Sequence, residues 1–161
     1  MDQREITAYV VAHQRDHILR WIESQGADLT AAPADTARLR ELVQEVLQAL
    51  PDLLPELAGR GLVDVHVYER DRQTREDLRA SDGMTWVDVT GHTGTLYAIG
   101  IAADALGANR DYQVLVFLHE AAHVLQGEHS WGFHVLLDGL IQRYNDATGS
   151  HIINDYDGLP V

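Results

Sequence analysis

Hydrophobic and polar positions change period twice along this chain. Between Arg4 and Ser24, Ile6, Tyr9, Val10, His13, His17 and Trp21 recur near helical spacing and Gly26 follows, which predicts a first helix with His13 and His17 partly buried. The small-residue stretch from Asp28 to Pro33 reads as a linker, so residues 1–33 are expected to form an extension on the domain proper. Leu39, Leu42, Val43, Val46, Leu47 and Leu50 form a sharper stripe, with Asp35 or Thr36 placed to cap the second helix and Pro51 to stop it. Leu53 to Ala58 adds a short helical turn before Gly59 and Gly61. The period then falls to two. From Leu62 to Glu69, Val63, Val65 and Val67 alternate with Asp64, His66 and Tyr68, the pattern of a half-buried strand.

Glu69 to Ser81 mixes four arginines with four acids and reads as an exposed connection. Met84 to Thr90 predicts a second strand, with Val87 and Val89 opposite Trp86 and Asp88. Gly91-His92-Thr93-Gly94 suits a hairpin turn with His92 exposed, and Thr95 to Ala102 is the third strand. Helical spacing returns from Tyr112 to Leu125, almost wholly apolar and so buried on most sides. It continues from Trp131 to Tyr144, where Phe133, Leu136, Leu137, Leu140, Ile141 and Tyr144 keep the i, i+3, i+4, i+7 rule. The tail, Gly149 to Val161, has no period. Helices, then three strands, then two helices predict an α+β fold in a single domain spanning residues 1–161.

Composition narrows the chemistry. The 161 residues are 45% apolar, enough for one core. Twelve basic residues, all arginine, stand against 25 acids for a net charge of −13, which argues against a nucleic-acid partner because phosphate neutralisation needs a basic footprint. Cysteine is absent, which excludes disulfides, thiolate ligands and a cysteine nucleophile together. Any metal must be held by His, Asp or Glu, and nine histidines are available. The charged start of the chain does not resemble a signal peptide, and the longest apolar run near the middle of the chain, Val114 to Leu118, is too short to span a bilayer. A cytoplasmic protein with no membrane partner is the expectation, with leaderless export left open.

His119-Glu120-Ala121-Ala122-His123 is an HExxH motif within the apolar helix. A spacing of four puts both imidazoles on one helical face, where they can grip one zinc ion. Glu120 projects beside the metal and can take a proton from zinc-bound water, then pass it to a leaving amine. Two core histidines satisfied by backbone carbonyls would be the unreactive alternative. A third ligand would complete a catalytic site. No glutamate follows Glu128, so a thermolysin-like ligand is unavailable. The metzincin pattern fails because Gln126 stands where its glycine belongs and no methionine follows Met84. His129 remains, placed after Gly127 lets the chain turn back, with an ordinary loop histidine as its alternative.

The stretch from His119 through Gly127, His129 and Phe133 to Asp138 and Leu140 resembles the WLM and SprT-like zinc peptidases, whose pattern is HExxHxxxGxH followed by a phenylalanine and a Leu-Asp-x-Leu helix. The resemblance covers roughly Leu39 to Tyr144 and is specific only in its last third. It implies a zincin-like fold, Zn²⁺ on His119, His123 and His129, and Glu120 as general base. It further implies that the strand Tyr97 to Ala102 lines the cleft as an edge strand, with Ile99, Gly100 and Ile101 pairing with an extended peptide or protein substrate. Glu128 replaces the proline often found before the third histidine, and the third strand lacks that group's arginines. Without basic surfaces or additional domains, the DNA-crosslinked substrates of eukaryotic members are not implied here.

Weaker candidates remain. Asp138 suits either a hydrogen bond to a ligand imidazole or a solvent-facing position. His134 and Tyr144 are candidates to stabilise a tetrahedral oxyanion, with core packing the alternative for Tyr144. Asp155 and Asp157 in the tail suggest a product-like block over the metal. Two other functions stay open: a catalytically weak zinc-binding regulatory or partner-binding protein, and a repressor-cleaving peptidase of the ImmA/IrrE type, which usually draws its third ligand from farther downstream. Oligomeric state is not legible.

Overall fold

A computed structural model describes residues 2–89, 94–127 and 129–154. The hairpin turn with His92, the residue Glu128 and the tail acids Asp155 and Asp157 lie outside them. Six helices and a three-stranded mixed sheet follow the expected α+β order. α1 (Gln3–Ser24), α2 (Pro33–Ala49) and α3 (Leu53–Arg60) precede β1 (Leu62–Tyr68). The short α4 (Glu76–Ala80), β2 (Gly83–Asp88) and β3 (Leu96–Ala102) come next, then α5 (Arg110–Gln126) and α6 (Trp131–Thr148). No described helix is long and apolar enough to cross a membrane.

The sheet order is β1-β3-β2, with β1 parallel and β2 antiparallel to the central β3. That order corrects the expectation that Ile99, Gly100 and Ile101 lie on an edge strand. Both sides of the β3 backbone are occupied by neighbours, and Ile99 and Ile101 are fully buried. Gly100 instead makes room for a neighbouring side chain, since a Cβ there would come 2.9 Å from His66 Nε2.

Helices cover both faces of the sheet, and this inverts several polar assignments. The side chain of Trp21 on α1 meets Trp86 edge-on at 6.1 Å, and His17 Nε2 lies 3.1 Å from Asp88 Oδ2. Trp86 and Asp88 are therefore buried, while Val87 and Val89 on the opposite side of the strand are exposed. Asp64 and Tyr68 of β1 are buried under the same cover, with Arg15 of α1 donating to Asp64 at 2.9 Å and His66 Nδ1 2.6 Å from the other Asp64 oxygen. His13 and His17 are exposed, because α1 turns Ile18 and Ile22 into the core instead. The N-terminal half of α1 leaves Ile6, Val10 and Val11 exposed.

Two boundaries also differ. α2 begins at Pro33, with Ala32 as N-cap and no side-chain cap, because proline at N1 has no N–H to satisfy; Asp35 sits in the first turn and favours the helix dipole. The span 69–81 is not simply exposed. It carries a 3₁₀ turn (Arg70–Arg72) and α4, and buries Gln73, Leu78 and Ser81. The Gln73 amide ties this segment to the linker, donating to the Asp28 carbonyl at 2.8 Å and accepting from the Asp28 N–H at 2.9 Å.

Burial alone would raise the Asp64 carboxyl, but the hydrogen bond and charge of His66, then those of Arg15, outweigh it and hold the group below the usual carboxylate range. A depressed folded-state pKa gives stability that is present above the unfolded value and lost as pH falls through the folded one. Asp64→Asn is expected to cost about 1–3 kcal/mol at pH 7 and to flatten the decline of Tm below about pH 4. Thermal melts of both proteins between pH 7 and pH 2.5 check this, and identical acid limbs would refute it.

Candidate metal centre

α5 places the HExxH residues where the period predicted, on a helix with an almost continuous buried surface from Gln113 to Ala122. Its N-cap, the Asn109 side chain, accepts from the Tyr112 N–H. Gly127, with φ 83°, ends it in a backbone conformation that side-chain-bearing residues rarely adopt. The chain then reaches His129 and re-enters a helix at once, because the Ser130 hydroxyl caps α6 by accepting from the Phe133 N–H. The short reversal between two capped helices brings a third imidazole over the first two.

The three Nε2 atoms converge. His119 and His123 are 3.2 Å apart, His119 and His129 3.4 Å, and His123 and His129 2.8 Å. His123 Nδ1 donates to the Gly127 carbonyl, which leaves its Nε2 as a bare acceptor aimed at the other two rings. Nitrogen lone pairs at such separations repel unless something positive lies between them. Zinc–nitrogen bonds of about 2.0–2.1 Å in a tetrahedron separate ligand atoms by about 3.3–3.4 Å, which two edges of this triangle match and the third undershoots. Among the described residues this trio is the one cluster of His and carboxylate donors tight enough to hold a metal ion.

Electrostatics prepare the rings for that role. Burial, followed by the charges of His123, His129 and His134, takes His119 down to about 3. Burial likewise lowers His123 against the opposing Gly127 hydrogen bond, and lowers the more open His129. All three are neutral at pH 7, as a ligand imidazole must be. Phe133 forms their apolar floor, its ring centroid 5.2, 4.5 and 5.0 Å from those of His119, His123 and His129.

Glu120 is 1% exposed, and burial pushes its carboxyl well above the usual range, opposed only by a hydrogen bond from Thr85. The Thr85 hydroxyl lies 3.1 Å from both Glu120 Oε1 and the Glu120 carbonyl. Gly83, two residues earlier on the same face of β2, leaves space for the carboxylate: a Cβ there would lie 2.8 Å from Glu120 Cγ and 2.9 Å from Oε2. Beside these groups opens a cleft of about 290 Å³ lined by Met84, Thr85, Val87, Tyr97, Glu120, His123 and Gly127.

The remaining candidates separate. His134 stays near the trio, its ring 5.7 Å from Phe133 and its charge felt by His119 and His129. Asp138 is exposed and accepts from Asn154 Nδ2 at 2.7 Å, so it does not orient a ligand ring; its helical position turns it to solvent. Tyr144 is buried where Glu45, Arg110 and Asp111 are its charged neighbours, and Arg110 opens α5 about two and a half turns before His119, so it packs the core instead of facing the trio. Tyr97, at the start of the strand expected to line the cleft, does line it, whereas nothing in the sequence marks Gly83, Thr85, Val87 or Phe133 as site residues. Thr85 and Val87 share a face by strand alternation, yet only strand order shows that this face meets Glu120. No family model, curated protein or solved structure matches this chain, so only its own residues bear on what the site does.

Unperturbed imidazoles, half protonated at pH 6.5, would together weaken a three-histidine site about eightfold relative to high pH. With all three rings depressed, Zn²⁺ affinity is expected to change less than that between pH 7.5 and 6.5 and to fall at lower pH. His129→Ala should lower affinity by at least about 100-fold, more than the loss typical of a group that only orients a ligand. Competition titrations with a chromophoric chelator measure both effects, and unchanged affinity in His129→Ala would remove that residue from the site.

Proposed function

We propose that this chain is a zinc-dependent peptidase with a zincin-like fold, similar to the WLM and SprT-like group. One observation carries the reading: three Nε2 atoms converge on one point at the C-terminal end of α5, while the carboxylate next to the first of them is buried against an edge strand. His119, His123 and His129 would hold the ion, and their three positions leave a tetrahedral centre one place for water or substrate. Zinc bound there would supply Lewis acidity, acidifying water and polarising a carbonyl.

The chain's own groups do the rest. Glu120, whose proton affinity burial raises, accepts the proton at a carboxylate oxygen before delivering it to the leaving amine. Thr85 donates to Oε1 and fixes the carboxylate rotamer, and the space above Gly83 keeps that rotamer accessible. β2 has an outer edge with no strand beside it among the described residues, and an extended peptide can pair there, one strand over from the position expected from resemblance. Val87 and Tyr97 in the cleft favour an apolar substrate side chain. His134, near the trio, is the oxyanion candidate that geometry leaves in play. The compact three-histidine geometry weighs against a ligand drawn from farther downstream.

Glu120→Gln should retain Zn²⁺ stoichiometry and lose at least about 10²-fold in kcat on an unfolded protein substrate. Thr85→Val should retain Zn²⁺ and lose less, about 10-fold, because it orients the base without replacing it. Full turnover by Glu120→Gln would refute the mechanism. Metal binding by the wild type with no turnover on any unfolded substrate would favour the zinc-binding regulatory reading.

A further inference from the structure

β1 is the other edge of the sheet, and among the described residues no backbone hydrogen bond joins it to any strand but β3. Half of its N–H and C=O groups therefore point away from the sheet, where a strand edge is a template for pairing. Leu62, Val63, Val65 and His66 remain partly exposed along it.

Two adjoining cavities, about 600 and 530 Å³, lie along this edge and share Asp64 and Val65. One reaches back to Gly61 and the other forward to Val67. α1 walls both, from Val11 to Glu23; α3 and then α2 form the opposite wall. The α1 wall is about 18 Å long at the helical rise, and the strand from Gly61 to Val67 is about 20 Å at the strand rise, so the trough accommodates about six extended residues.

The charges that line it distinguish the possible occupants. Asp64 is compensated inside the trough by Arg15 and His66. That leaves Arg40 on α2 and Arg60 on α3, both on one wall, against Glu23 on the other. Neither Arg40 nor Arg60 makes an ion pair among the described residues, although the chain carries a net charge of −13. The α1 wall presents Val11 and Leu19 instead. A strand turns alternate side chains to opposite walls, so alternating acidic and apolar residues match the trough. Two-fold self-pairing through β1 would set the Arg60 end of one copy against the Arg40 end of the other, like charge against like.

We propose that the β1 edge is a second peptide-binding site, separate from the metal cleft, which takes an extended segment of another protein with acidic and apolar side chains in alternation. The site does not depend on the hydrolytic reading. Its test uses the full chain carrying Glu120→Gln, so that the probe survives whether or not the cleft is active. Fluorescein-labelled eight-residue peptides, one alternating valine with glutamate and one alternating valine with arginine, are titrated by anisotropy. The glutamate peptide should bind saturably and at least about tenfold tighter, and Arg40→Glu with Arg60→Glu should reverse the preference. Both substitutions are on exposed helical positions, and a melt of the double variant verifies folding. Hydrogen exchange on the parent protein gives a readout that needs no variant: bound peptide should slow exchange between Leu62 and Val67. No saturable binding, a preference unmoved by the double variant, or protection confined to β2 would each overturn the proposal. So would a dimer in sedimentation that the same substitutions dissociate, since that would make a second copy the occupant.

Discussion

A helix that turns an imidazole and a carboxyl into the interior, with a second imidazole half-buried one turn on, loses hydration that its neighbours must offset. His119 and Glu120 are each 1% exposed, and the groups around them offset part of that cost. Thr85 satisfies one carboxylate oxygen, the Gly127 carbonyl accepts from His123, and Phe133 packs against all three rings. Burial shifts the titrations in opposite senses, lowering the histidines and raising the glutamate. Imidazoles held toward their neutral, acceptor form beside a carboxyl of raised proton affinity follow from burial alone.

The sheet divides its labour between its faces and its edges. The face toward α5 supplies Thr85 and the space over Gly83, both from β2. On the opposite face α1 covers buried carboxylates at Asp64 and Asp88, the first held by Arg15 and the neighbouring His66, the second by His17. With β3 in the centre, β1 and β2 each keep an edge, and the two edges border unlike surroundings: the cleft with Glu120 and His123 beside β2, a trough lined by Arg40 and Arg60 beside β1.

Local patterning was legible wherever one physical demand dominated. The α2 stripe from Leu39 to Val46 and the apolar run of α5 place those helices because burial of one side decides them. His119, Glu120 and His123 were legible for the same reason, since helical geometry alone puts the two imidazoles one turn apart. His129 was legible through Gly127, whose φ of 83° the turn requires. Reading failed where both sides of an element are covered. At Trp86 and Val87 hydrophobicity left the buried face open, because the partner of each face is set by α1 and α5, distant in sequence. Asp138 and Tyr144 sit on a helix whose rotation about its axis depends on packing with α5 and α2, which local spacing does not encode.

What the sequence by itself determined is the donor set: two histidines and a glutamate on one helical face, a third histidine beyond a glycine, and no cysteine to compete with them. Their covalent spacing acts over one or two turns, so it survives any arrangement of the remaining elements. Only the tertiary structure decided which strand meets the glutamate. Strand order is a long-range choice made by competing hydrogen-bonded edges, and it put β3 in the centre and β2 at the cleft. The positions of Thr85 and Gly83 beside Glu120, 35 and 37 residues away along the chain, follow from that order and from no local pattern.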